Sequence, residues 1–320
     1  MHVAVTGSTG LIGSGLVRCL AADGHTVTRL TRSSGRGPGE ARWDPAAGTV
    51  DAGALAAADA VVHLAGRPIA SGRWTDRARR EIRDSRVQGT RLLAETMARL
   101  GGGGSAGRPR GPRVLVVSSA IGYYGDRGDE VLTEASPPGD GFLAGVCKAW
   151  EAAADPARAA GLRVVHVRTG LVLTPEGGSL PKLLPLFKLG LGGRFGSGRQ
   201  WWSWVALDDV LGIYRHALVT DGLHGPVNAT APGPVTNAEL AATLARVLGR
   251  PALVPVPRFG PRLVLGEMAD ELLFSSARVQ PEAALASGYA FRRPQLEPAL
   301  RALLHRPAAA QVAGGSSSSP

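Results

Sequence analysis

Three glycines, Gly7, Gly10 and Gly13, lie in "VTGSTGLIGSGL", between a short apolar run and a stretch with helical spacing. Glycine lets a chain turn tightly and bring its backbone against a pyrophosphate. A helix starting there adds free N–H groups and the positive end of its dipole. Thr9, Leu11 and Ile12 belong to the same expected cradle. Strand before and helix after make this more than a lone glycine triplet. The next apolar run ends "LTRSS", with Arg32 and Ser33 where an NAD site usually carries an acidic residue. A planar cation and a hydroxyl suit a 2′-phosphate, so the cofactor expected is NADP(H) in preference to NAD(H). A third run ends "HLAG", and Leu64, Ala65 and Gly66 would let a dinucleotide lie against the backbone there. His63 is read as structural.

These residues need a scaffold. "HVAVTG", "HTVTRLTR", "ADAVVHLAG", "RVLVVSSA" and "LRVVHVRTG" read as near-continuous apolar strands separated by helices. That pattern predicts a parallel sheet covered on both faces, a doubly wound α/β fold with its ligand crevice at the carboxyl ends of the strands. A long arginine-rich helix is expected from about Thr75 to Leu100. From about Gly170 glycine and proline become frequent and the elements short. The expected organisation is a cofactor domain over residues 1–170, a smaller C-terminal substrate lobe over 171–306 and a disordered tail over 307–320. The stretch "GGGGSAGRPRGP", Gly101 to Pro112, reads as a flexible insertion.

Several long strings together resemble one family: "VTGSTGLIG", "DAVVHLAGRPIASGRWTDRARREIRDSRVQGTRLL", "SSAIGYYGDRGDEVLTE", "KAWE" and "VRTGLVLTPEGGSLPKLLPLFKLGLGGRFGSGRQWWSWVALDDV". The chain is similar to the epimerase-family proteins of the NAD-dependent epimerase/dehydratase group. These form an extended, atypical branch of the short-chain dehydrogenases/reductases, with a Rossmann sheet and their own C-terminal domain. Some members carry a cell-division-inhibitor label. The resemblance implies a catalytic Ser119 (Ser118 is the alternate) and a Lys148 that holds the nicotinamide ribose. The superfamily's Y-x-x-x-K tyrosine is here Ala144, and the usual asparagine near "NVxGT" is Arg86. Hydride transfer to a carbonyl needs a proton partner. Tyr124 is the expected substitute donor and Tyr123 the runner-up.

Arg168, at the end of the fifth strand, is a candidate to hold an anionic substrate group, or else to form a salt bridge. Trp202 and Trp204 are expected on one strand face, lining a substrate pocket or joining the lobes. Asp208 is expected to cap the following helix.

The function classes narrow accordingly. The 320 residues carry a formal charge of +10, but the densest basic stretch also holds Asp76, Glu81 and Asp84. It reads as a solvated helix, so no nucleic-acid partner is expected. No apolar run is long enough to span a bilayer, the N-terminus offers no signal sequence, and two cysteines give no disulfide framework or zinc spacing. A cytoplasmic protein with a small-molecule substrate and no metal is expected. The sequence does not give the oligomeric state. The expected activity is an NADP(H)-dependent oxidoreductase or epimerase-like reaction on a small carbonyl or sugar-like compound. The alternative is a non-catalytic NADP(H)-binding regulator linked to cell division.

Overall fold

The structure is a computed structural model that describes residues 1–32, 37–101, 111–252 and 254–305. The first half runs β1 (His2–Thr6), α1 (Leu11–Ala22), β2 (Thr26–Thr31), β3 (Glu40–Asp44), β4 (Thr49–Val50), α2 (Ala52–Ala56), β5 (Ala60–His63), α3 (Asp76–Gly101) and β6 (Val114–Ala120). A single 3₁₀ turn, Ile121–Tyr124, follows, then β7 (Val131–Leu132), α4 (Phe142–Ala152), α5 (Asp155–Ala159) and β8 (Arg163–Thr169). The second half contains β9 (Leu171–Leu173), α6 (Leu180–Lys188), β10 (Trp201–Trp202), β11 (Trp204–Ala206), α7 (Leu207–Val219) and β12 (Gly225–Ala229). It ends with β13 (Val235–Thr236), α8 (Asn237–Leu248), α9 (Phe259–Leu265), α10 (Glu267–Ala269), β14 (Arg278–Val279), α11 (Glu282–Ala286) and α12 (Leu296–His305).

Eight strands form one sheet in the order β12-β8-β6-β5-β1-β2-β3-β4. All neighbours are parallel except the β3–β4 pair. The chain builds outward from β1 through β2 and β3, then returns to β5 and builds the other way. The switch point is therefore the β1/β5 boundary, where an open α/β sheet binds its ligand. Along each strand, side chains alternate between two cores. Val3, Val5, Val62 and Val116 pack on the α1/α7 face, and Ala4, Val61, Leu115 and Val117 on the α3/α4 face. Helix α3 buries Ile82, Gly89, Leu93 and Met97 and turns most of its arginines outward, which is why so charged a segment can form a long helix.

The sequence reading missed β3, β4 and β12, which are short and lie toward the sheet's edges. The boundary expected at Gly170 also gives way. Strand β12 pairs with β8, and α7 packs against α1 so closely that a Cβ on Gly15 would lie 3.0 Å from Leu211 Cδ1. The chain thus leaves the sheet at β9 and comes back to it. A separate core around Leu180, Trp204, Leu240, Leu244 and Leu300 belongs to the C-terminal lobe. Ser33, most of the insertion (residues 102–110) and the tail lie outside the described residues. Among the described residues, no helix is long and apolar enough to cross a membrane.

Candidate functional site

Strand β1 ends in Thr6, and the chain turns through Gly7 at φ 67°. A Cβ on Gly7 would lie 2.8 Å from the Ala65 nitrogen, so only glycine lets β1 and β5 exit side by side here. The Gly10 N–H donates to the Gly7 carbonyl at 3.0 Å, closing the turn. A Cβ on Gly13 would fall 2.1 Å from that same carbonyl oxygen. Helix α1 then begins with Gly10 as N-cap, no side-chain cap and no acidic residue in its first turn. Its leading N–H groups, around Leu11 and Ile12 and beside Thr9, are left for an anion.

Thr6, which the sequence reading passed over, organises the far wall of this turn. Its hydroxyl oxygen accepts from Leu64 N–H at 3.1 Å and Ala65 N–H at 3.3 Å, and it bonds His63 Nδ1 at 2.7 Å. A hydroxyl already accepting from two donors has one proton to give. It goes to Nδ1, so His63 carries its own proton on Nε2. Complete burial holds His63 neutral, with its pKa lowered to about 3. Its ring edge meets Trp43 at 5.6 Å. His63 is a packing residue, as expected. Arg32 is exposed, directly after β2 and on the opposite side of the phosphate turn from β5.

Across the switch point, the expected pair Ala144/Lys148 does not face the strand ends. Ala144 is buried, while Lys148 is exposed and has no hydrogen-bond or ion-pair partner among the described residues. The α4 face that meets the end of β6 is one residue earlier. The Cys147 thiol donates to the Ala120 carbonyl at 3.7 Å, and a Cβ on Gly122 would touch Leu143 Cβ at 3.3 Å and Cys147 Sγ at 4.0 Å. Lys148 points roughly 100° round the helix from Cys147. An apolar side chain and an inert thiol therefore stand where the resemblance implied a phenol and an ammonium. Burial raises the Cys147 pKa to about 12. The expectation that Lys148 holds the cofactor is corrected on this ground.

The expected catalytic and substrate residues are largely tied into one buried polar network. Ser119 Oγ donates to Glu151 Oε1 at 2.7 Å. Arg168 donates to both oxygens of Glu151, each at 2.9 Å, and to the Tyr124 hydroxyl at 3.0 Å. Tyr124 in turn donates to Asn228 Oδ1 at 2.7 Å. Asn228, on β12, donates its backbone N–H to Glu134 at 2.8 Å and its side-chain amide to the Gln280 carbonyl at 2.9 Å. Tyr124 is wholly buried, and desolvation raises its pKa to about 12 despite the nearby Arg168. A phenol so placed has its proton committed and is a worse acid than free tyrosine. Tyr124 as proton donor is therefore corrected to a structural residue. Arg168 takes the salt-bridge alternative rather than the substrate one: its cation is paired with Glu151 and held charged by it. Tyr123 differs. Its ring stacks on the Arg168 guanidinium, 3.5 Å from ring centre to Cζ, but it is only half-buried and its hydroxyl has no partner among the described residues. Glu151, Glu134 and Asn228 were not legible as partners, since they lie on α4, after β7 and on β12 and come together only in the folded chain.

The tryptophans follow the core reading, not the pocket one: Trp202 ends β10 and Trp204 starts β11, and both side chains enter the same buried cluster. Trp204 is fully buried with its Nε1 donating to the Gly233 carbonyl at 2.9 Å, and Trp202 packs with Phe195, their ring centres 5.8 Å apart. Both serve the C-terminal core. Asp208 does not cap α7, whose N-cap is Ala206. Asp209 beside it, fully buried, accepts the backbone N–H groups of Arg292 and Arg293 at 2.7 and 2.9 Å and so ties residues 289–293 to the sheet layer.

Comparison with known proteins agrees with this geometry. A family model described as the NAD dependent epimerase/dehydratase family matches residues 3–228, and one described as a domain of unknown function (DUF1731) matches residues 256–303. The chain is 41% identical over 305 residues to an epimerase family protein of Mycobacterium bovis, covering 95% of this chain and 98% of that one. The crystal structure of the human epimerase family protein SDR39U1 (isoform 2) with NADPH matches at a TM-score of 0.81 and 36% identity, over 95% of this chain and 99% of that one. A nucleoside-diphosphate sugar epimerase from Corynebacterium glutamicum matches at 0.77 and 39%, over 95% of this chain and 58% of that one. The glycine turn at the switch point and the family match that spans it lead to one conclusion: the chain belongs to the NAD-dependent epimerase/dehydratase family.

Proposed function

We propose that the protein binds NADP(H) and acts as an oxidoreductase or epimerase-like enzyme on a small carbonyl or sugar-like substrate. The observation that carries the cofactor is the turn Gly7–Gly13. It packs against Leu64–Gly66, leads into an uncapped helix N-terminus and has Arg32 on its adenine side. The human relative crystallised with NADPH supports the same cofactor. Arg32 favours the 2′-phosphate over a bare ribose. When bound, the cofactor supplies the hydride chemistry. The chain's own task is to hold it, exclude water and manage one proton. Tyr123 is the tyrosine beside the end of β6 whose hydroxyl is not already committed, and it is assigned the proton.

A second role, cofactor binding without turnover in a regulatory protein linked to cell division, is favoured by one observation. Ser119, Tyr124 and Arg168 are all engaged with protein partners. Two measurements separate the roles. NADPH and NADH titration of the wild type and Arg32→Asp tests the cofactor; equal wild-type affinities would remove the preference. Incubation with NADPH and pooled metabolites, followed by cofactor absorbance, tests turnover. NADPH binding without oxidation by any pool would favour the regulator.

A further inference from the structure

With Cys147 under the end of β6 and Lys148 turned about 100° from it on α4, a different cation, from α3, lies against the strand ends. Arg86 lies across the backbone just past β5: a Cβ on Gly66 would be 3.3 Å from its Cζ. Its Nη1 donates to the carbonyls of Arg67 at 3.0 Å and Ile82 at 2.9 Å, and its guanidinium stacks on the Trp150 ring of α4, 5.0 Å from its centre. Cys147 is near enough to interact with its charge. Arg79 and Arg83 on the same helix have carboxylate partners, whereas Arg86 has none among the described residues. Its Nε and Nη2 also have no protein partner there, and neither is sealed from solvent. A guanidinium fixed by two backbone carbonyls and an indole, with two donor groups left over, is a preorganised site for oxygen ligands.

We propose that Arg86 binds the nicotinamide half of the dinucleotide, donating to the nicotinamide ribose or its adjoining phosphate, in place of a lysine on α4. The proposal rests on the NADP(H) assignment and deepens it. Which half it meets follows from the topology. Arg32 follows β2 on one side of the switch point, while Gly66, Arg86 and Cys147 gather over β5 and β6 on the other. A dinucleotide crossing at the glycine turn must extend one half to each side.

The test is titration of wild type, Arg86→Met, Arg86→Lys and Lys148→Ala with NADPH, NADH and adenosine 2′,5′-bisphosphate, which has only the adenine half. Arg86→Met should weaken NADPH and NADH by similar factors, on the order of tenfold to a hundredfold as for loss of charge-assisted bonds. Adenosine 2′,5′-bisphosphate should bind as in wild type, and Arg86→Lys should fall between. The proposal is overturned if Arg86→Met binds both dinucleotides normally. It is equally overturned if the bisphosphate weakens as much, which marks a general structural loss, or if Lys148→Ala loses the affinity instead. A wild type that binds neither dinucleotide refutes the NADP(H) assignment itself, an outcome visible before any variant is made.

Discussion

Arg168 and Glu151 face each other in a two-bond ion pair, Nε to Oε1 and Nη2 to Oε2, both 2.9 Å. The side chains are 3% and 13% exposed, so neither charge has much recourse to water. The pair joins β8 to α4 under the crevice and takes Ser119 and Tyr124 as further partners.

Removing one member should therefore be costly. Arg168→Met leaves the Glu151 carboxylate with only Ser119 and should destabilise the fold by about 3–5 kcal/mol. Replacing both, as Arg168→Met with Glu151→Leu, should recover much of that loss, since no charge is then stranded. Denaturant midpoints of the single and double variants decide this. A single variant as stable as wild type would mean the pair is not closed from water.

The two adjacent tyrosines should behave oppositely. Tyr124→Phe strands the Asn228 carbonyl oxygen and an Arg168 donor, and should cost about 1–3 kcal/mol of stability. Tyr123→Phe should leave stability close to wild type and lower turnover on a verified substrate by roughly 10²–10⁴-fold, the worth of a general acid. Stability loss in Tyr123→Phe with turnover lost only in Tyr124→Phe would reverse the assignment.

The phosphate turn gives a steric prediction. Gly13→Ala places a methyl 2.1 Å from the Gly7 carbonyl oxygen, backbone that cannot swing aside. The turn must open, so NADPH affinity should fall at least tenfold, beyond any change in stability. Calorimetric titration checks it, and an unchanged dissociation constant would show that the turn does not hold the pyrophosphate.

Acid should weaken the fold through two buried histidines. Burial lowers His63 to about 3 and His166 to about 4, against 6.5 when free. Above pH 6.5 both are neutral in either state, and their stabilising contribution is fully present. As pH falls below 6.5 the unfolded chain takes up protons that the folded chain refuses. Unfolding free energy then drops by up to about 1.4 kcal/mol per pH unit for each histidine until the folded values are reached. Urea midpoints between pH 7 and 4 should show the slope, and His63→Asn should make it shallower. A pH-independent midpoint over that range would mean that these rings titrate freely when folded.

What the sequence determined by itself is what depends on neighbours along the chain. The apolar runs of β1, β2, β5, β6 and β8 announce a parallel sheet because a strand covered on both faces has no room for polar alternation. Gly7, Gly10 and Gly13 announce the tight turn from β1 into α1 because their need for small or left-handed positions is local. The place of Arg32, directly after β2, is legible for the same reason. The roles of Lys148, Tyr124, Arg168 and Trp204 were decided only in three dimensions. Which side of α4 meets β6 is set by how the helix packs, and a shift of one residue turns a side chain by about 100°, enough to exchange Lys148 for Cys147. Tyr124 reads as a crevice residue until Asn228, 104 positions later, arrives on β12 and closes over its hydroxyl. A residue's availability for chemistry depends on its partners, and in this fold the partners come from strands and helices that meet only when the second half of the chain returns to the sheet.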